Sequence, residues 1–191
     1  MIDKDLVNKL SPMMQHYLSV KKDYPDTVLM YRLGDFYEMF FEDALEVSKL
    51  LDLTLTGRDC GLKERAPMCG VPYHAADTYI GKLVKMGKKV AICEQLTTPA
   101  DQKGMVKRDV VRVVTPGTVT SDDILDGSSN NYILSVYVKG KSGGLCWMDV
   151  STGEVKAEEL DEKRIFKLED IVMSIGPSEI IGNSEGCEFI K

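Results

Sequence analysis

The chain has 191 residues, of which 43% are hydrophobic and 28% are charged, and its net charge at pH 7 is −6. These values are ordinary for a globular protein of one or two domains. No apolar run reaches the length of a membrane span, and the acidic N-terminus MIDKDLVNKL lacks the apolar core of a secretion signal. We therefore expect a cytoplasmic protein without a membrane partner.

The first part of the chain alternates predicted helices and strands, which is typical of a mixed α/β domain. Serine and proline favour helix starts, and the residue before a proline disfavours continuation of a helix. In chain order, the sequence predicts a helix from Ser11-Pro12 to about 23, a strand at 28–33, a turn at Gly34-Asp35, an extended segment at 36–41, a helix at 42–51, a short strand at 53–56, a largely irregular segment at 57–72, a helix at 75–84, and strands at 90–96 and 110–114.

A domain boundary is predicted at TPGTVTSDDILDGSSNN, residues 115–131, which is rich in Gly, Ser, Asp and Asn. The charge balance changes at the same place. Residues 1–118 hold 17 basic and 16 acidic side chains, whereas residues 119–191 hold 7 and 14. We therefore divide the chain into a first domain at 1–118, a linker at 119–131 and a second domain at 132–191.

The second domain is predicted to contain strands at 132–138, 144–151 and 154–160, a helix at 162–175 and a strand from 179. Thr152-Gly153 predicts a hairpin turn between two of these strands. About sixty residues with so few elements make a small core. We therefore expect this domain to be truncated.

Residues 82–112 form a basic segment, with eight Lys and Arg against three Asp and Glu. Such a surplus is compatible with a surface that faces an anion, but a solvated face explains it as well on charge alone.

Signals of catalysis are weak. Gly140-Lys141-Ser142 ends like a phosphate-binding loop, but Ser135 stands where that loop requires a glycine. The two histidines lie far apart, and the five cysteines form no C-x-x-C pair, so we expect reduced thiols and no metal site. Asp149 on a predicted strand could belong to a nuclease carboxylate cluster, although the sequence shows no partners for it.

The stretch GDFYEMFFED at 34–43 combines several aromatic side chains with a glutamate. If 36–41 is extended, Phe36, Glu38 and Phe40 share one face, and the alternate residues form the other. An unpaired buried carboxylate is costly. Either Glu38 therefore has a basic partner, or the Phe36 end of its face is exposed.

GDFYEMFFEDA closely resembles the signature of the MutS family of DNA mismatch-repair proteins. The resemblance covers about the first 118 residues strongly and the remainder, which looks like the start of the family's connector domain, more weakly. Other segments follow the family's N-terminal pattern in order: SPMMQHYLSVKKDYPDTVLMYRL, LDLTLTGRD, APMCGVPYHAADTYIGKLV, VAICEQL and VVRVVTPGT.

The resemblance implies a mixed-sheet mismatch-binding domain, followed by part of an RNase H-like connector domain. It implies that Phe36 intercalates at the mismatch and that Glu38 hydrogen-bonds the stacked base. Arg58, Lys107 and Arg108 lie where similar proteins place residues that contact the DNA backbone.

The physics of duplex deformation is compatible with these implied roles. Inserting an aromatic ring unstacks a base step and kinks the duplex, which costs a few kcal/mol, and stacking on the ring returns about 1–3 kcal/mol. A mispaired or unpaired base is already poorly stacked and is therefore cheaper to deform. A carboxylate such as Glu38 is repelled by phosphates unless a base edge comes within hydrogen-bonding reach, and an acceptor edge such as a purine N7 requires the protonated carboxyl.

For the whole protein, the resemblance implies a clamp-shaped homodimer that associates with the nucleoid when bound to DNA. It also implies a C-terminal ATPase that uses ATP and Mg²⁺, and a MutL-type partner. This chain lacks a complete phosphate loop, so we expect a fragment that does not hydrolyse ATP and needs no cofactor. The alternatives are an RNase H-like nuclease, which depends on Asp149, and a protein-interaction module, which the acidic second half suits.

Overall fold

The computed structural model describes residues 7–97, 106–120, 124–125 and 129–190. The chain forms two compact units, which divide between Val114 and Thr115. Six residues of the expected linker at 119–131 (121–123 and 126–128) lie outside the described residues. The predicted domain limits therefore stay a prediction.

The first unit contains a mixed six-stranded sheet in the order β3-β4-β2-β1-β5-β6. Strands β1 and β5 run parallel, and the other neighbouring pairs run antiparallel. The mixed α/β prediction is confirmed. The elements are α1 (Pro12–Asp23), β1 (Thr27–Leu33), β2 (Phe36–Phe40), α2 (Phe41–Leu50), β3 (Thr56–Arg58), β4 (Ala66–Pro72), a 3-10 turn (Tyr73–Ala75), α3 (Ala76–Lys85), β5 (Lys89–Gln95) and β6 (Arg108–Val114).

Helix α1 covers one face of this sheet. The Tyr17 ring packs edge-on against Phe40, with ring centroids 5.0 Å apart, and also against Tyr31. Helix α2 lies against β4 on the opposite face, where the Cys69 thiol donates to the Ala44 carbonyl oxygen. Because successive side chains of β1 and β2 point to opposite faces of the sheet, these strands contribute to a hydrophobic core on each face.

Two predictions for the segment after α2 are wrong. Residues 53–55 form no strand, and much of 57–72 is not irregular but forms β3 and β4. The prolines misled the prediction, since proline cannot donate to a strand ladder. Pro67 pairs only with β3 and Pro72 only with β2, so each lies where β4 has a single neighbour.

Phe41 also departs from its prediction. It is not the last residue of an extended segment but the first of α2, and its φ is +53°. Two residues later, the buried Asp43 carboxylate accepts hydrogen bonds from the Leu29 N–H at 3.0 Å and the Tyr17 hydroxyl at 3.2 Å. These bonds fix the first turn of α2 against β1 and α1.

The second unit contains a four-stranded sheet in the order β10-β7-β8-β9, and helices pack on its buried face. Its elements are a 3-10 turn (Pro116–Thr118), β7 (Tyr132–Lys139), β8 (Ser142–Asp149), β9 (Glu154–Leu160), α4 (Glu162–Ile165), α5 (Leu168–Ile175), β10 (Glu179–Gly182) and α6 (Ser184–Glu188). The hairpin turn at Thr152-Gly153 is confirmed.

The single helix predicted at 162–175 is instead two helices. The Lys167 N–H donates to the carbonyl oxygen of Arg164, three residues back. This tighter turn interrupts the α-helical pattern between α4 and α5. Within the described residues, no helix combines the length and apolar character needed to cross a bilayer.

All five cysteines are free thiols, and their exposure predicts their reactivity. Cys60, Cys69 and Cys93 are buried, whereas Cys146 and Cys187 are exposed. Burial raises the pKa of Cys69 to about 11 and that of Cys93 to about 12, so few reactive thiolates form there. We expect two thiols per chain to react with a chromogenic disulfide at pH 8, and the other three only after denaturation. Rapid reaction of more than two in the native state would contradict this burial pattern.

Candidate nucleic-acid interface

The hairpin between β1 and β2 ends in a two-residue turn, Gly34-Asp35, with Leu33 paired opposite Phe36. Gly34 has a φ of +60°, a conformation that glycine adopts without steric cost. Its N–H donates to the Gln95 side-chain oxygen at 2.9 Å, and its carbonyl oxygen accepts from Arg32 Nε at 2.5 Å. The turn is thus held from both sides.

Phe36 is the first residue after this turn, and 46% of its surface is exposed. Tyr37 and Met39, on the opposite side of β2, are buried. The alternation predicted from the sequence, with an exposed Phe36 end, is confirmed. Phe40, farther along the Phe36 face, is buried beneath Tyr17.

A second exposed aromatic, Tyr73, lies at the same end of the sheet. Its N–H donates to the Asp35 carbonyl oxygen at 2.9 Å, which ties the end of β4 to the turn. The Arg32 guanidinium lies 3.8 Å from the centre of the Tyr73 ring and 3.9 Å from a Glu94 carboxylate oxygen. Neither Tyr73 nor Arg32 was predicted to be a site residue from the sequence. The tyrosine falls just after a segment predicted to be irregular, and no local pattern pairs it with β1.

Beneath this surface, the Tyr37 hydroxyl donates to the Glu94 carboxylate. Burial raises the pKa of Tyr37 to about 12, and the bond to Glu94 adds to the shift, so the phenol is neutral in any physiological buffer. Glu94 therefore joins Tyr37 and Arg32 in one polar group under the turn.

Glu38 has the basic partner that one of the two alternatives required. Arg58 Nη1 lies 2.5 Å from Glu38 Oε2, and the side chains are 39% and 15% exposed, respectively. Because Phe36 is exposed as well, both alternatives hold. The structure therefore brings together two predicted site residues, Glu38 and Arg58, although twenty positions separate them in the sequence.

The other two predicted backbone-contacting residues differ in exposure. Lys107 is exposed. Arg108 is buried: its Nε donates to the Arg32 carbonyl oxygen at 2.8 Å, its Nη1 donates to that of Val106 at 3.1 Å, and its guanidinium lies over the Tyr31 ring. A contact between Arg108 and a phosphate stays a prediction, and it would require these bonds to rearrange.

The basic segment at 82–112 is partly neutralised within the unit. Lys88 forms an ion pair with Glu46 at 2.5 Å, and Arg108 is buried. Lys103 lies outside the described residues. An anion-facing role for this segment stays a hypothesis.

Asp149, the basis of the nuclease alternative, is the buried last residue of β8. Its carboxylate accepts hydrogen bonds from the N–H groups of Asn131, Ser151 and Thr152 and from the Ser151 hydroxyl, at 2.6–3.3 Å. These donors, the Ser151 hydroxyl first, hold the pKa of Asp149 below its usual value. In the described part of the chain, no group of three His, Cys, Asp or Glu side chains is placed to hold a metal ion.

Comparison with known proteins gives two family matches. Residues 11–123 match the model of MutS domain I, and residues 131–190 match that of MutS domain II. The chain is 57% identical to the DNA mismatch repair protein MutS of Ruminiclostridium cellulolyticum and 54% identical to that of Acetivibrio thermocellus, over 92% of its length in both cases. It is 55% identical to that of Clostridioides difficile over 97% of its length. The chain spans about a fifth of the length of these relatives.

Proposed function

Because this chain belongs to the MutS family of DNA mismatch-repair proteins, we propose that its first unit recognises mispaired or unpaired bases in duplex DNA through Phe36 and Glu38. The observation on which the proposal rests is the exposed Phe36 ring at the tip of a hairpin whose turn is fixed by Gln95 and Arg32. An exposed aromatic at a rigid tip is suited to insertion between bases. A second exposed ring, Tyr73, lies at the same end of the sheet.

The insertion of Phe36 makes the binding free energy depend on how easily the duplex deforms. Apolar wedges that enter the minor groove unstack one base step at a cost of a few kcal/mol, and stacking on an aromatic ring returns about 1–3 kcal/mol. For a matched duplex, these terms roughly cancel. A mismatch is already poorly stacked, so its deformation costs less and binding becomes favourable.

Glu38 adds chemical discrimination to this mechanical test. It lies on the same face of β2 as Phe36, two residues along the strand, and can therefore reach the edge of the base that stacks on the ring. A carboxylate close to the phosphates opposes binding unless a base edge satisfies it. Glu38 thus penalises ordinary duplex more than a displaced mismatched base.

The remaining functions belong to a longer protein, since the chain spans only about a fifth of its relatives. We propose that the full-length protein is a homodimeric clamp with an ATPase outside this chain, which uses ATP and Mg²⁺. We further propose that it recruits a MutL-type partner after it has bound a mismatch.

The proposed function is tested by titrating the full-length protein with a fluorescent duplex that contains one mismatch and with the matched duplex. Fluorescence anisotropy at about 0.15 M salt, near physiological ionic strength, gives both Kd values. Tighter binding to the mismatched duplex is expected. Equal affinity for the two duplexes would refute mismatch recognition.

We expect residues 1–191 alone to bind DNA weakly and with little mismatch preference. The fragment has a net charge of −6, and electrostatic contacts supply most non-specific affinity for DNA. A kinked duplex must also be held on both sides of the kink, which the proposed clamp would do. The same anisotropy titration checks this expectation. Sub-micromolar, mismatch-selective binding by the fragment would show that the first unit reads mismatches unaided.

A further inference from the structure

The Glu38–Arg58 ion pair crosses a whole strand. Glu38 lies on β2 and Arg58 on β3, and β4 runs between them. The register places Gly70 of β4 directly opposite Glu38. All three residues lie on the same face of the sheet, since Arg58 pairs with Ala66, four residues from Gly70 along β4.

Gly70 provides the space for this crossing. A Cβ atom added at Gly70 would lie 3.4 Å from Glu38 Cγ and 3.2 Å from the Tyr37 carbonyl oxygen. The second distance is tighter than nearly all real contacts of a Cβ atom. A side chain at position 70 would therefore press on the β2 backbone next to Glu38 and occupy the space beside the Glu38 stem. With glycine there, the carboxylate lies across β4 and reaches the guanidinium.

The pair leaves part of each group available. Arg58 engages only Oε2 of Glu38, and the described residues provide no hydrogen-bond partner for Oε1. On the other side, Arg58 uses Nη1, and its side chain is 39% exposed. One carboxylate oxygen is thus anchored while the other can meet a ligand, and the guanidinium keeps donors for an anion.

We propose that Arg58 is a positioning residue for Glu38, and that Gly70 leaves the space across which they make contact. The proposal rests on the proposed function, because it concerns how Glu38 reads a base. Anchoring Oε2 fixes the direction of Oε1 before DNA arrives.

The competing role for Arg58 is an independent contact with a phosphate. Phosphate contacts carry no sequence information, so losing one weakens matched and mismatched complexes by the same factor. A positioning residue acts through Glu38, so its loss lowers the selectivity ratio, defined as Kd for matched duplex divided by Kd for mismatched duplex. The two roles therefore predict different results for the same substitution.

The test measures the selectivity ratio of the full-length protein for Arg58→Ala, Glu38→Ala and the double variant. Arg58→Ala should lower the ratio roughly tenfold, about the effect of one hydrogen bond to a charged group. In the Glu38→Ala background, adding Arg58→Ala should not change the ratio further. Arg65→Ala, which removes a nearby exposed cation that forms no ion pair with Glu38, is the matched control and should leave the ratio unchanged.

Two results would overturn the proposal. One is an unchanged selectivity ratio in Arg58→Ala. If the affinities for both duplexes fall equally and the salt slope of binding falls by about one, Arg58 makes a phosphate contact instead. The other is that Arg58→Ala lowers the selectivity ratio by the same factor in the parent protein and in the Glu38→Ala variant. Failure of the proposed function gives a different signature, because the parent protein would then show no mismatch preference.

Gly70→Ala tests the same arrangement without changing any charge. The added methyl group should push the Tyr37 carbonyl oxygen, shift the β2 backbone at Glu38 and lower the selectivity ratio, while a thermal melt confirms that the variant is folded. A folded Gly70→Ala protein with the parental ratio would show that the crossing over β4 is irrelevant to base reading.

Discussion

Replacing Phe36 with alanine in the full-length protein is expected to remove most of its preference for mismatched over matched duplex. The substitution deletes the stacking surface, which is worth about 1–3 kcal/mol per base, so the selectivity ratio should fall roughly ten- to hundredfold. The fold should survive because 46% of Phe36 is exposed and it lies at the tip of a turn. Anisotropy titrations with matched and mismatched duplexes give the ratio, and a circular-dichroism melt gives the stability.

Phe166→Ala is the matched control for this substitution. Phe166 is 76% exposed in the second unit, between α4 and α5, so its removal also deletes an exposed ring. It should change neither the selectivity ratio nor the melt. A loss of more than about 2 kcal/mol in Phe36→Ala would identify a core residue rather than a wedge. Retained selectivity in a folded Phe36→Ala protein would remove the ring from the mechanism.

Asp43→Ala is expected to cause the largest loss of stability among the substitutions proposed for the first unit. Asp43 is 7% exposed and accepts hydrogen bonds from the Leu29 N–H, the Tyr17 hydroxyl and the Lys21 ammonium, the last at 2.9 Å. Its removal leaves the buried Leu29 N–H without an acceptor, and the Tyr17 hydroxyl and the Lys21 ammonium keep only the carbonyl oxygens of Phe40 and Thr27. We expect the free energy of unfolding to fall by about 3–5 kcal/mol, a large fraction of the stability of an ordinary domain.

Asp43→Asn separates the acceptor from the charge. The amide oxygen can still accept from the Leu29 N–H, whereas the ion pair with Lys21 is lost. Asp43→Asn should therefore lose about half as much stability as Asp43→Ala. Urea unfolding monitored by circular dichroism measures both losses. A free energy of unfolding for Asp43→Ala within 1 kcal/mol of the parent value would contradict this expectation. It would show that the junction of α1, α2 and β1 tolerates a buried donor without an acceptor.

Local pattern was sufficient to predict which side of β2 faces the core. The contrast between exposed Phe36 and buried Tyr37 and Met39 follows from period-two alternation along one strand, which depends on neighbouring residues only. The turn at Gly34-Asp35 and the helix that begins at Pro12 carry equally local signals.

The identity of the polar partners could not be predicted, because these contacts depend on pairing between distant strands. The contact of Glu38 with Arg58 requires β3 and β4, a segment that was predicted to be largely irregular on account of two prolines. The burial of Arg108 also depends on distant strands. The resemblance implies that Arg108 contacts the DNA backbone, but the start of β6 buries it against the Arg32 carbonyl oxygen.

The bonds that hold Gly34 have a mechanical consequence. A flexible tip would yield when pressed against a base step, and it would have to be ordered on every encounter at an entropic cost. Here Gln95 and Arg32 hold the turn on both sides, and Tyr73 binds it to β4 before DNA arrives. In the proposed mechanism, the duplex would then be the softer partner in the encounter. The hairpin would act as a stiff indenter, and the strength of binding would measure the local compliance of the double helix.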